Sequence, residues 1–63
     1  NEDVFFKLVK DSFKYKRKTL KNNLKEYDLI KVENVLKQHN LSLNVRAEEL
    51  SLDIFLDISD GLE

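Results

Sequence analysis

"DLIKVENVLKQHN", residues 28–40, is the stretch whose reading decides the fold. Leu29, Ile30, Val32, Val35, Leu36 and His39 recur at the spacing of one face of an α-helix. Asp28 stands in front of them, where a carboxylate can accept from the backbone N–H groups that a first helical turn leaves free. Asn40 stands behind them and tolerates the left-handed conformation in which many helices end. A helix with one apolar face needs partners, so the flanking segments must supply them.

Upstream, Val4, Phe5, Leu8, Val9, Ser12 and Phe13 repeat the helical spacing, with Asn1 or Asp3 available to cap the start. Leu20 and Leu24 lie four apart behind Thr19, a good N-cap residue, which predicts a break near residues 15–18 and a short second helix from 19 to about 26. The alternative is one long helix running straight through, with its cations along one flank. Downstream, "LSLNV" (41–45) alternates apolar and polar residues, but one such run cannot make a sheet, and it is assigned to an extended connection. Ser51 precedes a last periodic run in which Leu52, Phe55, Leu56, Ile58 and Leu62 sweep a wide apolar face. Asp53, Asp57 and Asp60 fall on the opposite stripe, and Gly61 is a natural place for this helix to stop. The closing Leu62-Glu63 is either native or left from cloning.

With no proline, one glycine and no cysteine, hairpins, disulfides and thiolate metal sites lack their usual residues. The fold class expected is all-α, a small bundle of about four short helices forming a single domain over residues 1–63. A chain of this size buries only about 60 % of the surface its unfolded form exposes, so it has no room for a deep substrate cleft, and catalysis by these residues alone is not expected. The longest apolar runs are three residues, Val4-Phe5-Phe6 and Ile54-Phe55-Leu56, with pairs such as Leu29-Ile30 elsewhere, which excludes a membrane span and leads us to expect a soluble, cytoplasmic protein. The lone His39 denies the chain a Ser-His-Asp triad or a multi-histidine metal site, and suits a helix C-terminus instead. The three aspartates form one helical stripe, unlike the closely alternating ligands of a calcium loop. No metal or cofactor site is expected.

Charge is the informative feature. Acids exceed bases by one over the chain, yet residues 14–25 hold six bases and no acid, while residues 26–63 hold nine acids against three bases. Six cations in twelve residues repel one another, and no local carboxylate offers relief at i,i+4 spacing. A polyanion relieves that repulsion through release of its condensed counterions. Lys14, Lys16, Arg17, Lys18 and Lys21 are therefore candidates for nucleic-acid phosphates, with the amides of Asn22 and Asn23 available to sugar, phosphate or base edges. Tyr15, between Lys14 and Lys16, is a candidate to stack on an unpaired base. Two other readings fit the same residues. One is a protein-interaction helical module whose basic flank is merely solvated; the other is a helix-turn-helix DNA-binding domain with residues 19–26 as its reading helix.

"Phe5-Phe6-Lys-Leu-Val-Lys" running into "Phe13-Lys-Tyr-Lys16-Arg17-Lys18-Thr19-Leu20-Lys21-Asn22-Asn23-Leu24", followed by "Arg46-Ala47-Glu48-Glu49-Leu50-Ser51" and Phe55, resembles the C-terminal domain of the KsgA-type ribosomal RNA adenine dimethyltransferases. The resemblance implies a parent enzyme whose Rossmann-like N-terminal domain binds S-adenosylmethionine and dimethylates two adjacent adenines of small-subunit (16S) ribosomal RNA during ribosome assembly. This chain would be its non-catalytic, substrate-orienting domain, holding no cofactor itself. Its implied partners are small-subunit ribosomal RNA within the immature subunit and the catalytic domain of the same chain; a monomer is expected, with no membrane partner. The resemblance adds Arg46 to the RNA candidates. It departs from the family at Lys16-Arg17, where paired arginines are usual, and Arg17 and Arg46 have an alternative pairing with Glu48 or Glu49.

Overall fold

The computed structural model describes residues 2–63 as four α-helices: α1 (Glu2–Ser12), α2 (Leu20–Asn23), α3 (Leu29–Gln38) and α4 (Leu52–Leu62), with a 3-10 turn at Ala47–Glu49. No strand occurs among the described residues, in agreement with the all-α expectation. Asp28 caps α3 as its sequence suggests, one carboxylate oxygen accepting from Ile30 N–H at 3.2 Å and Lys31 N–H at 3.3 Å. Asn40 takes φ = 60°, and the chain turns back there so that Leu41 N–H reaches the freed Leu36 carbonyl at 2.9 Å. Ser51 Oγ caps α4 by accepting from Ile54 N–H at 3.4 Å. Asp3 lies inside the first turn of α1, where its charge favours the helix dipole, and the alternative cap, Asn1, lies outside the described residues.

α4 packs along α3 and α1, and α2 rests on α1. Leu8, Leu20, Leu24, Val32 and Leu36 are fully buried and meet Val35, Ala47, Phe55 and Ile58 in one core. Each such side chain contributes about 1.5–3 kcal/mol by leaving water. The apolar face of α4 is narrower than its sequence suggests: Phe55 and Ile58 point into the core, whereas Leu52 and Leu56 are exposed. Gly61 does not stop α4, which runs on to Leu62. Its missing side chain serves packing instead, because a Cβ at that position would sit 2.9 Å from Val35 Cγ2 on α3.

The chain does break between α1 and α2, which excludes one continuous helix. Ser12 is buried, and its hydroxyl donates to Leu8 O at 2.7 Å, competing for a carbonyl of the last helical turn. Beyond it the backbone makes short turns, closed by Lys14 N–H to Asp11 O at 3.2 Å and Lys18 N–H to Tyr15 O at 3.0 Å. Asn23 then reaches back from α2, its amide donating to Ser12 O at 2.8 Å and to Tyr15 O at 3.1 Å. Ser12 O is a carbonyl that the end of α1 cannot satisfy by itself, and Tyr15 O belongs to the turn that Lys18 N–H also closes.

α2 is shorter than expected, a single turn. Thr19 is its N-cap, accepting from Asn22 N–H at 3.5 Å. The other free amides at its start are met from across the fold: Leu20 N–H donates to Val45 O at 2.8 Å and Lys21 N–H to Leu43 O at 3.0 Å. Segment 41–45 is thus a turn and not an extended connection, closed by Val45 N–H to Ser42 O at 3.2 Å and laid across the N-terminus of α2. Its alternating Leu41, Leu43 and Val45 pack against the core.

Two polar contacts tie the helices together. Lys7 Nζ lies 2.7 Å from Asp11 Oδ2, and Tyr27 OH donates to the same oxygen at 2.6 Å. The Lys7 ammonium and the Tyr27 hydroxyl hold the Asp11 carboxyl below its ordinary pKa, while desolvation and the Asp11 carboxylate push the Tyr27 hydroxyl up. At the other end, His39 Nε2 meets Asp57 Oδ2 at 2.8 Å, joining the end of α3 to the exposed stripe of α4.

Two outcomes follow from these contacts. Asn23→Ala strips both donors from the α1–α2 junction and should lower stability by about 1–3 kcal/mol, roughly 4–8 °C of melting temperature per kcal/mol in a domain this small. Asn23→Asp should cost at least as much, since a carboxylate would face two carbonyl oxygens; an unchanged melt for Asn23→Asp would contradict the contact. Asp11 binds its proton less readily when folded, so the network stabilises fully above the ordinary carboxylate value of 3.8 and weakens as pH falls through the lower folded value. Thermal melts taken from pH ~5 down to ~2 should show Asp11→Asn losing less stability than the parent.

Candidate nucleic-acid interface

The α1–α2 turn exists because Ser12 and Asn23 end one helix and Leu20 and Leu24 anchor the next in the core. The charged residues between those anchors face outward. Lys14, Lys16, Arg17 and Lys18 are exposed on the turn, and Lys21, Asn22 and Lys25 are exposed around the single turn of α2. Arg46 is exposed on the adjoining segment, one residue after the Val45 carbonyl that holds Leu20 N–H. The fold therefore brings the two halves of the sequence-predicted set to one end of the molecule.

None of these seven cations takes part in an ion pair among the described residues, where the pairs present are Lys7–Asp11, Glu33–Lys37 and His39–Asp57. The pairing of Arg17 or Arg46 with Glu48 or Glu49 does not form. Glu49 instead accepts from the backbone N–H of Arg46 at 2.7 Å, which steadies the 3-10 turn and leaves the guanidinium free. The Lys14 ammonium lies 5.5 Å from the centroid of the Tyr15 ring, and after Lys7 and Tyr27 its charge adds a small share to the lowering of the Asp11 carboxyl. Asp53, Asp57 and Asp60 are exposed on α4, so the acidic and basic surfaces belong to separate elements.

Asn23 stands apart from the other candidates. It is half-buried with both amide hydrogens donated to backbone carbonyls, so it shapes the turn and is not presented for contact. Sequence reasoning placed it beside Asn22 because the two are adjacent, but α2 turns one outward and the other inward. A second feature escaped that reasoning: Phe13, Lys16 and Glu48 line a recess at the foot of the turn, closed behind by Ser12 and Ala47. No sequence spacing links residues 13 and 48; only the packing of the 3-10 turn against the end of α1 does.

Chemically, this end of the molecule presents exposed cations without ion-pair partners among the described residues. No group of three or more metal-ligating side chains occurs among the described residues. No helix among the described residues is long and apolar enough to cross a membrane. α2 also bears on the helix-turn-helix reading, since a reading helix must lay several side chains along a groove, and α2 is four residues long with Leu20 buried.

No family model matches the chain. Individual relatives do. The chain is 45 % identical over 69 aligned positions, covering all of it, to a protein of Streptococcus gordonii named ribosomal RNA small subunit methyltransferase A. It is 43 % identical over 60 residues to the protein of that name from Fusobacterium nucleatum, covering 92 % of the chain, and 46 % identical over 54 residues to that of Aster yellows witches'-broom phytoplasma, covering 81 %. The chain spans about a quarter of the length of these relatives, 24 %, 23 % and 20 % respectively. Identity at this level over four-fifths or more of the chain places it in the family of ribosomal RNA small subunit methyltransferase A, as a segment of about a quarter of such a protein.

Proposed function

We propose that this chain is the C-terminal, non-catalytic domain of an S-adenosylmethionine-dependent ribosomal RNA adenine dimethyltransferase, and that it grips small-subunit ribosomal RNA so that a separate catalytic domain can reach two adjacent adenines. The observation that carries this reading is the set of unpaired cations on a braced turn, in a chain whose relatives are named for a ribosomal RNA methyltransferase. Buried anchors on both sides fix the turn, so part of the ordering cost of holding the charges together falls on folding and not on binding.

Lys14, Lys16, Arg17, Lys18, Lys21 and Arg46 contact phosphates, and Asn22 contacts sugar or phosphate. Such contacts position a protein on RNA without reading its sequence. The lysines act as point charges, while Arg17 and Arg46 can each take a phosphate with two parallel N–H donors. The catalytic domain extrudes the target adenine and transfers the methyl groups, as chemistry on a base requires. It is the domain's second partner, and the exposed Phe6, Leu52 and Leu56 are apolar side chains available to meet it. The domain works as a monomer in the cytoplasm, on the immature small subunit.

Each phosphate neutralised on single-stranded RNA changes the slope of log affinity against log salt by about −0.7. Changing Lys14, Lys18 and Lys21 together to Glu should weaken binding to a small-subunit ribosomal RNA fragment and flatten that slope by about 2. The three side chains are exposed and unpaired, so the melting temperature should hold or rise as the self-repulsion is relieved. An unchanged salt titration would contradict the RNA reading and favour the protein-interaction module.

A further inference from the structure

We propose that the recess between Phe13, Lys16 and Glu48 receives one unpaired RNA base that carries an exocyclic amino group, guanine before adenine or cytosine; this rests on the RNA reading above and adds base discrimination to it. The recess measures about 190 Å³ and opens beside the cationic turn, so an RNA strand whose phosphates lie on that turn passes its mouth.

Its walls differ in chemistry. Phe13 is 41 % exposed, and its ring leans on Phe55 with centroids 6.0 Å apart and planes tilted by 36°. Phe55 is buried in the core, so the Phe13 ring is braced from within while part of it stays open to the recess. A braced aromatic ring is a stacking platform for a base. The sequence alone offered Tyr15 as a candidate for this role beside a core or interface role, and the Lys14 ammonium lies over that ring. The buried back of the recess is polar only at Ser12, whose hydroxyl already donates to Leu8 O. Nothing there competes with an apolar, stacked occupant.

Glu48 supplies the specificity. It is exposed and forms no ion pair, although it shares the recess with Lys16 and lies two residues from Arg46. Beside phosphates a carboxylate is repelled, so this position is favourable in a complex only if Glu48 meets hydrogen-bond donors. An ionised carboxylate accepts and cannot donate. Guanine offers N1–H and the 2-amino group side by side, matching both oxygens; adenine and cytosine offer one amino group. Uracil offers a single N3–H between two carbonyl oxygens, which the carboxylate repels. Lys16, on the other rim, takes the phosphate of the same nucleotide.

The test is equilibrium binding of this chain to short oligouridylates that carry one central G, A, C or U, read by fluorescence anisotropy over a salt series. The G-centred strand should bind at least about five-fold tighter than the all-U strand, the lower end of the discrimination that one two-hydrogen-bond contact to a base provides. Phe13→Leu should remove that advantage and Phe13→Tyr should keep it. Glu48→Gln, at an exposed side chain that leaves the core untouched, should narrow the gap between G and U. All three variants should keep the parent's salt slope. Equal affinity for the four strands with a normal salt slope would overturn the base receptor while leaving the phosphate surface standing. So would discrimination that survives both Phe13→Leu and Glu48→Gln. Failure to bind any strand would overturn both readings.

Discussion

The donation of the Asn23 amide to Ser12 O and Tyr15 O is the contact on which the rest of the molecule depends. A helix that ends inside a small fold leaves carbonyls without partners, and a charged turn offers no reason of its own to stay in place. One side chain from the following helix answers both difficulties. It closes the end of α1 and fixes the direction in which residues 13–19 leave the core. The burial of Leu20 and Leu24 on the same short helix makes that bond possible, and the carbonyls of Leu43 and Val45 complete it from the other side by satisfying the N-terminus of α2.

This arrangement reconciles two demands that conflict in so short a chain. Stability requires that most apolar residues converge on one core, and Leu8, Val32, Leu36, Phe55 and Ile58 do so from three helices. Polyanion binding requires that like charges be held close together, which opposes folding. The break between α1 and α2 separates the demands. Its ends lie in the core, and its cations lie outside, with no carboxylate paired to them among the described residues. Carboxylates elsewhere serve the scaffold: Glu33 pairs with Lys37 within α3, Asp11 joins Lys7 of its own helix to Tyr27, and Asp57 of α4 meets His39 at the end of α3.

Much of the fold was legible in the sequence because its signals are local. Thr19, Asp28 and Ser51 cap the helices they precede, Asn40 takes the left-handed turn, and the basic stretch is exposed as its charge requires. What the sequence concealed depends on contacts between distant residues. Gly61 reads as a stop, yet it is retained inside α4 by the nearness of Val35. Segment 41–45 reads as extended, yet it turns because the N-terminus of α2 needs its carbonyls. Leu52 and Leu56 read as core, and the helix presents them to solvent. The cations of the turn, Lys14 to Lys21, could be named from the run of charge alone, whereas Arg46 came from the family resemblance. The inward turn of Asn23 and the recess that joins Phe13 to Glu48 could not, since both arise from packing across the chain.

The central claim is that RNA meets this molecule at one end, on the α1–α2 turn and the adjoining Arg46. The most direct measurement is an amide chemical-shift map of the isotope-labelled chain titrated with a small-subunit ribosomal RNA fragment. The account predicts that the perturbed amides cluster at residues 13–22 and 46–48 and that the exposed acidic stripe of α4 stays silent. Perturbations centred on α4 or on the outer face of α3, with the turn unaffected, would contradict it.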